Sequence, residues 1–331
     1  MASGEAYVLD GTNWPYGTCL RKSAVEPQGA RSASEGKDMP SETGRPPNSA
    51  SLAERLERGE LVFFPVTPFR LPSEDDGQFL RAQRGVIASR QPISFDPTAG
   101  NLTGQRSTDD AERLARLMRS FSDVATGWLA NELPEYQGKW SRDRATLRPE
   151  EEAIRSLGLS ARNDLLHIDH FPDRPAAGRR LLRLFVNINT EDERVWITSE
   201  KFDRLLSRYQ AMHRLISRTE SEWCEPLTGM QRLLQRDWSG RPAYDSFMQD
   251  LQHFLRSDDQ FQDKAAKRFW HFPPNSCWLL FADGLSHAVL RGQYAMEHSF
   301  FVPQRALVRP ELSPLRQIVS AGQATRLRQA G

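Results

Sequence analysis

The pattern of apolar and polar positions divides the chain into a polar start and a folded remainder. Residues 1–50 are rich in Gly, Ser, Pro and charge and poor in aliphatic residues, a composition that cannot offset the entropy of ordering. Apolar residues then recur at regular spacing. We expect a disordered tail over 1–50, one domain over 51–312, and a C-terminal helical or flexible extension over 313–331.

Helical spacing, with apolar residues three and four positions apart, predicts amphipathic helices. The strongest of these patterns starts at Asp109 and is ended by Pro134. The predicted helices are 52–58, 109–134, 201–218 and 242–254.

Short apolar or alternating runs bounded by turn residues predict strands. These runs are 61–65, 93–95, 164–170, 179–189, 193–197, 269–272, 277–282 and 287–301, the last as one or two strands. The rest of 72–104 and the stretch 146–149 have no such pattern and are expected to be loops. Strands in this number, with helices before and between them, predict an α+β, mainly β fold: a double-stranded β-helix (jelly roll, cupin-like) with helical elaboration.

The stretch 164–175 carries the first candidate chemistry. His167 and Asp169 are two positions apart, so on a strand their side chains point to the same face. Together with a histidine from a distant strand, for which His287 is the candidate, they would form the 2-His-1-carboxylate triad of non-haem Fe(II) oxygenases. The alternative is that Asp169 caps a turn and His167 is a core histidine.

A 2-oxoglutarate oxygenase also needs a buried cation for the far carboxylate of its cosubstrate, and arginine pairs a carboxylate bidentately. Arg183, inside an apolar run, is the first candidate unless an edge strand exposes it. Arg291, on the same strand face as His287, and Arg148 are its rivals. Asn187 is a candidate donor to a ligand carboxylate or metal ligand, unless it only ends its strand.

Composition narrows the class of protein. The 44 basic and 43 acidic residues give a net charge of +1, which does not favour nucleic-acid binding. Three cysteines without a C-x-x-C motif argue against a disulfide framework or a zinc finger. We find no signal-peptide pattern and no apolar run long enough to span a bilayer, and we expect a cytoplasmic protein.

At three blocks the residues resemble the Kdo 3-hydroxylase family of Fe(II)/2-oxoglutarate-dependent dioxygenases. These blocks are 166–175 (LHIDHFPDRP), 178–189 (GRRLLRLFVNIN) and 287–297 (HAVLRGQYAME). Shorter matches fall at 63–65, 93–96, 147–149 and 244–245, so the similarity extends over about residues 55–310.

The resemblance implies a jelly-roll enzyme that uses O2 and 2-oxoglutarate to hydroxylate C3 of Kdo in Kdo-lipid A, giving Ko, succinate and CO2. It implies that His167, Asp169 and His287 bind iron, with Arg148 and Arg183 near a ligand carboxylate. The chain departs from the pattern in two ways. It has no arginine ten or so residues after His287, and it has the large, titratable His170 where the family has a small residue.

The lipid substrate would require peripheral contact with an anionic membrane surface at the inner face of the inner membrane. Two basic amphipathic stretches, 201–218 and 313–331, could make that contact, unless both pack on the barrel. Two other functions stay open: a 2-oxoglutarate oxygenase acting on a protein side chain or a small molecule, and a non-catalytic jelly-roll module that binds sugar.

Overall fold

The computed structural model describes residues 50–83, 92–105, 110–151, 158–159, 162–213 and 242–329. All of the predicted disordered tail except Ala50 lies outside the described residues. The helices are α1 (Leu52–Glu57), α2 (Glu74–Ala82), α3 (Ala111–Glu132), α4 (Phe202–His213), α5 (Ala243–Ser257), α6 (Asp259–Lys264) and α7 (Pro314–Gln329), with 3-10 turns at Gln304–Ala306 and Pro310–Leu312. The strands are β1 (Val62–Phe64), β2 (Ile93–Asp96), β3 (Asn101–Thr103), β4 (Ser141–Arg148), β5 (Arg180–Asn187), β6 (Arg194–Lys201), β7 (Arg268–Phe272), β8 (Cys277–Phe281), β9 (Leu285–Arg291) and β10 (Ala295–Val302).

The strands form two antiparallel sheets. In the larger sheet the order is β1-β8-β5-β10-β4-β2-β3, and in the smaller it is β7-β6-β9. The sheets face each other across an aromatic cluster, in which Trp278 of the larger sheet stacks on Phe272 of the smaller at a centroid distance of 3.7 Å. Trp196 meets the Trp278 ring edge-on at 5.3 Å. Two facing antiparallel sheets agree with the predicted jelly roll.

Helices cover the outer face of each sheet. On β5, Leu182, Leu184 and Val186 pack with α1, α2 and α3, whereas the alternate residue Phe185 faces the other sheet. On β6, Ile197 packs outward with α4, α5 and α7. The period-two alternation therefore separates an inner aromatic core from two outer, helix-covered cores.

Some elements differ from the predictions. Residues 164–170 do not form a strand, since His167 makes only an isolated bridge. Helix α2, strand β3 and the end of strand β4 occupy stretches expected to be loops. The β4 sequence, SRDRATLR, lacks apolar alternation because only its second half is buried. Helix α2 opens with the residues EDDG, which provide no apolar stripe to predict a helix. The helix begins after Ser73, whose hydroxyl accepts a hydrogen bond from Asp76 N–H at 3.0 Å.

Candidate active site

His167 and His287 meet across an isolated antiparallel bridge between segments far apart in the sequence. The backbone N–H of each residue donates to the carbonyl of the other, at 3.0 Å from His167 and 2.9 Å from His287. Directly opposed residues carry their side chains on the same face. The two ring centroids lie 4.9 Å apart, so the bridge places both imidazoles in one site.

Each imidazole is oriented by the carbonyl two residues before it. Nδ1 of His167 lies 2.7 Å from Leu165 O, and Nδ1 of His287 lies 2.9 Å from Leu285 O. A carbonyl only accepts, so Nδ1 carries the hydrogen and Nε2 keeps its lone pair. Burial lowers the pKa of His287 to about 4 and also lowers the pKa of His167, where the charge of Arg256 adds to the effect. Both rings are neutral near pH 7, the form that binds metals.

Asp169 completes a set of three donors. Its backbone N–H donates to Ala282 O at 2.8 Å, which fixes the segment just beyond the end of β8. Its carboxylate oxygens lie 3.5 Å from His167 Nε2 and 3.7 Å from His287 Nε2, and one donor atom from each residue lies within 4.8 Å of the others. All three residues are buried. Two neutral imidazoles and one carboxylate are the donors of the Fe(II) facial triad, so these residues fit that metal.

A line of buried and partly buried charged side chains extends from Asp169 through Arg183 and Glu297 to Arg148. Nη1 of Arg183 contacts an oxygen of Asp169, and Nη2 lies 2.5 Å from Glu297 Oε2. The other Glu297 oxygen accepts from Nε of Arg148 at 2.6 Å. Burial would raise the pKa of Asp169, but the Arg183 charge holds it well below its usual range. Burial opposes ionisation of Glu297 as well, and Arg148 and Arg183 together lower its pKa.

The donor set faces a cavity of about 720 Å³, within the usual range for a small-molecule site. Strands of both sheets and helix α5 form its walls. The described charged side chains that line it are Arg148, Arg183, Arg194, Arg256, Asp169, Asp250 and Glu297. The cationic excess favours an acidic ligand. His170, the large residue that departs from the family pattern, also lines the cavity and is buried.

Two of the predicted cofactor-binding residues lie elsewhere. Arg291 ends β9 with a side chain 58% exposed and pairs with Glu193 at 3.0 Å, so it does not line the cavity. The Asn187 amide donates to the carbonyls of Asp192 and Phe272, each at 3.0 Å, and stabilises a turn. The structure does not bring these two residues to the cavity. The register of β9 on β6 shifts between the pairs Trp196–Val289 and Val195–Arg291, so Arg291 does not keep the strand face of His287. Backbone carbonyls use the Asn187 amide.

The structure adds residues that the sequence analysis did not assign. Glu297 joins the two arginines that the sequence did single out, and its position inside the apolar β10 run (AMEHSFFV) was the available signal. Trp196 stacks on the His287 ring at 5.3 Å and 11°. Arg256 follows the predicted end of its helix, and no local pattern distinguishes it from a surface arginine.

Comparisons with a family model and with solved structures identify the same protein family. The model of the family described as 3-deoxy-D-manno-oct-2-ulosonic acid (Kdo) hydroxylase matches residues 41–325. None of the curated proteins matches the chain significantly.

Solved structures of one Kdo hydroxylase, KdoO, described as a non-heme Fe(II) alphaketoglutarate-dependent dioxygenase, are similar over most of the fold. Its apo structure has 28% sequence identity and a TM-score of 0.68, covering 81% of this chain and 88% of that chain. The complex with alphaketoglutarate and Fe(III) has 28% identity and a TM-score of 0.67, and the complex with succinate and Fe(III) has 29% and 0.66, with the same coverage. The chain therefore belongs to the Kdo hydroxylase family.

Proposed function

We propose that this protein is an Fe(II)- and 2-oxoglutarate-dependent dioxygenase that hydroxylates C3 of Kdo in Kdo-lipid A. The product is Ko, with release of succinate and CO2. The observation that carries the proposal is the convergence of His167, Asp169 and His287 on one cavity, in a chain of the Kdo hydroxylase family.

Nε2 of His167, Nε2 of His287 and the Asp169 carboxylate would hold the iron. Bound iron supplies the activation of O2 and the oxidative decarboxylation of 2-oxoglutarate. The protein would hold these three side chains in position before the metal binds. The carbonyls of Leu165 and Leu285 hold each histidine in the metal-binding tautomer, as outer partners of metal ligands commonly do.

Arg183 is a positioning residue in this proposal, because both of its Nη atoms contact protein carboxylates and one of these is Asp169. Its charge keeps Asp169 ionised and fixes its orientation. The far carboxylate of 2-oxoglutarate would bind at the cluster of Arg148, Glu297 and Arg183. Arg148 is the more open arginine, with 18% of its side chain exposed against 8% for Arg183, and we assign the direct contact to it.

The lipid anchor of the substrate would bring the enzyme to the inner face of the inner membrane. In the described part of the chain, no helix combines the length and hydropathy needed to cross a bilayer. The apolar side chains Phe202, Leu205, Leu315 and Ile318 of α4 and α7 are buried in one cluster with α5. Membrane contact by these helices would therefore use their polar faces, while residues 214–218 of the predicted basic stretch lie outside the described residues.

The test is mass spectrometry of Kdo-lipid A after incubation with the protein, Fe(II), ascorbate and 2-oxoglutarate. We expect one added oxygen atom on the sugar, dependent on 2-oxoglutarate. His287→Ala should abolish the product, whereas His271→Ala, which removes an exposed histidine beside Glu193, should retain it. An unmodified Kdo-lipid A with the wild-type protein, or full activity of His287→Ala, would contradict the proposal.

A further inference from the structure

Helix α5 (Ala243–Ser257) forms a polar wall of the cavity. The side chains that it contributes recur three and four residues apart, which places them along one face of the helix. They include Gln249, Gln252, His253 and Arg256. Amide and imidazole groups suit hydrogen bonding to hydroxyl groups, whereas 2-oxoglutarate has none to offer. The chemistry of this wall therefore fits a polyhydroxylated ligand.

Arg256 is the cation of this wall, and only 6% of its surface is exposed. Its Nε is buried without a hydrogen-bond partner, and the side chain makes no hydrogen bond or ion pair with any residue in the described part of the chain. Arg148 and Arg183, in contrast, both contact Glu297. A buried charge without a partner is costly, so a protein retains one where a ligand supplies the opposite charge.

The position of Arg256 is close to the metal donors. Gln252, one helical turn before it on the same face of α5, donates its amide N–H to Ile168 O at 2.8 Å, the carbonyl between His167 and Asp169. Both side chains line the same cavity as the three donors. A carboxylate bound by Arg256 would consequently lie beside the iron site. In a 3-deoxy-2-ulosonic acid, the carboxylate is C1 and the carbon that is hydroxylated is C3, two bonds away. A cation next to the metal is thus well placed to bring C3 to it.

We propose that Arg256 binds the C1 carboxylate of the Kdo residue and, with the polar face of α5, selects a 2-ulosonic acid residue as substrate. This inference rests on the proposed function and extends it, because it assigns a separate carboxylate site to the sugar. The far carboxylate of 2-oxoglutarate is left to Arg148, at the end of strand β4.

The test compares KM values of Arg256→Gln, Arg256→Lys and the wild type, with Arg291→Gln as the control for loss of an exposed arginine. Loss of a charged hydrogen bond should raise KM for the Kdo substrate by about tenfold to a hundredfold in Arg256→Gln, with a smaller rise in Arg256→Lys. KM for 2-oxoglutarate should stay within about twofold, and the Arg291→Gln values should equal the wild type.

A second measurement changes the substrate, and its first part uses the wild type alone. When the C1 carboxylate is converted to a carboxamide, the KM of the wild type should rise by a similar factor. The KM of Arg256→Gln should rise little further on that analogue, because the two changes remove the same contact. A raised KM for 2-oxoglutarate with an unchanged sugar KM would overturn the inference and assign Arg256 to the cosubstrate. Additive losses from the two changes would also overturn it. Inactive wild type on Kdo-lipid A would refute the proposed function itself.

Discussion

At the scale of single residues, the site depends on charges that are buried in opposite pairs. Asp169, Arg183, Glu297 and Arg148 alternate in sign along one line of contacts. Removing one member of such a chain leaves its neighbours buried and uncompensated, which typically costs more than the pair contributes. Glu297 is the member best suited to a test, since it contacts two arginines and, unlike Arg183, does not contact a proposed metal donor.

Glu297→Gln should therefore destabilise the fold by about 3 kcal/mol. The amide keeps the shape of the side chain but removes the charge that balances Arg148 and Arg183. Urea denaturation measures the change. Glu193→Gln is the matched control, because Glu193 is a partly exposed carboxylate that also contacts an arginine, and its effect should stay within about 0.5 kcal/mol. Equal effects of the two variants on stability would contradict a larger contribution from the buried line of charges.

His298 gives a prediction about pH. It is buried between Phe121 and Phe300, its Nε2 lies 2.8 Å from Ser122 Oγ, and burial lowers its pKa from 6.5 to about 3. Between those values the unfolded chain binds a proton that the folded chain does not, so stability falls as the pH decreases. The slope should approach about 1.4 kcal/mol per pH unit.

His298→Phe should remove that slope, since phenylalanine does not titrate. The measurement is the free energy of unfolding by urea at about pH 7.5 and about pH 5 in both proteins, with the difference between them isolating His298. A parallel pH dependence in the two proteins would show that His298 is protonated in the folded state.

How far residues could be predicted depended on whether their role was local. His167 and Asp169 stand two positions apart, and Arg183 interrupts an apolar run, so each carries its own signal in the sequence. The partner of Arg183 is Glu297 on a neighbouring strand, a pairing that depends on sheet order rather than on sequence distance. Arg256 has no signal of this kind, because an arginine near a helix end is usually a surface residue.

At the scale of elements, C-terminal helix α7 belongs to the fold. Leu315 is 1% exposed and Ile318 is 3% exposed, and both pack with α4 and α5, the helix that lines the cavity. Ser313 starts this segment, with its buried hydroxyl donating to Gln304 Oε1 at 2.8 Å. The alternative that this stretch packs on the barrel therefore accounts for its apolar residues.

Deleting residues 313–331 should destabilise the protein by about 3–5 kcal/mol, the burial free energy of two aliphatic side chains. Activity on a soluble Kdo disaccharide should fall with the folded fraction. Thermal denaturation measures the first effect. Deletion of 323–331 is the control, because it keeps Leu315 and Ile318, and it should have little effect on the melting temperature. Unchanged stability of the longer deletion, with weaker binding to anionic vesicles, would instead favour a membrane anchor.

The sequence identified most strands but not how they are ordered. The alternation of β5, with Leu182 outward and Arg183 inward, could be predicted from the sequence, because the two faces of the strand are buried against different partners. Strand β4 was missed, since its pairing with β10 and β2 rather than its composition makes it a strand. The H-x-D segment shows the converse. It has strand-like residues but makes only one bridge, because its neighbours are fixed by contacts outside a ladder, such as Asp169 N–H to Ala282 O.

At the scale of the whole molecule, the site joins the two sheets. His287 lies on β9 of the smaller sheet, whereas Arg183 and Glu297 lie on β5 and β10 of the larger one. Asp169 is in contact with both groups. A metal bound by the three donors would thus link the halves of the sandwich, and its binding free energy would contribute to global stability.

Metal binding should accordingly raise the melting temperature. A divalent substitute such as Co(II) at about a hundred times its Kd should stabilise the protein by about 2.7 kcal/mol, or roughly 5–10 °C for a domain of this size. Differential scanning calorimetry with and without Co(II) measures the shift. His271→Ala, in which the lost histidine lies exposed beside Glu193, should keep the shift, and His287→Ala should lose it. A shift that survives in His287→Ala would place the metal elsewhere.

The bridge between His167 and His287 also has a consequence for how the enzyme matures. The two histidines share a pair of backbone hydrogen bonds, yet more than a third of the chain separates them. Closing so long a loop is among the slower events in folding. A nascent chain that has not yet delivered β9 from the ribosome holds only two of the three donors and lacks the strand that orients them. Iron binding by all three donors would then follow the completion of folding, because the third donor arrives with β9.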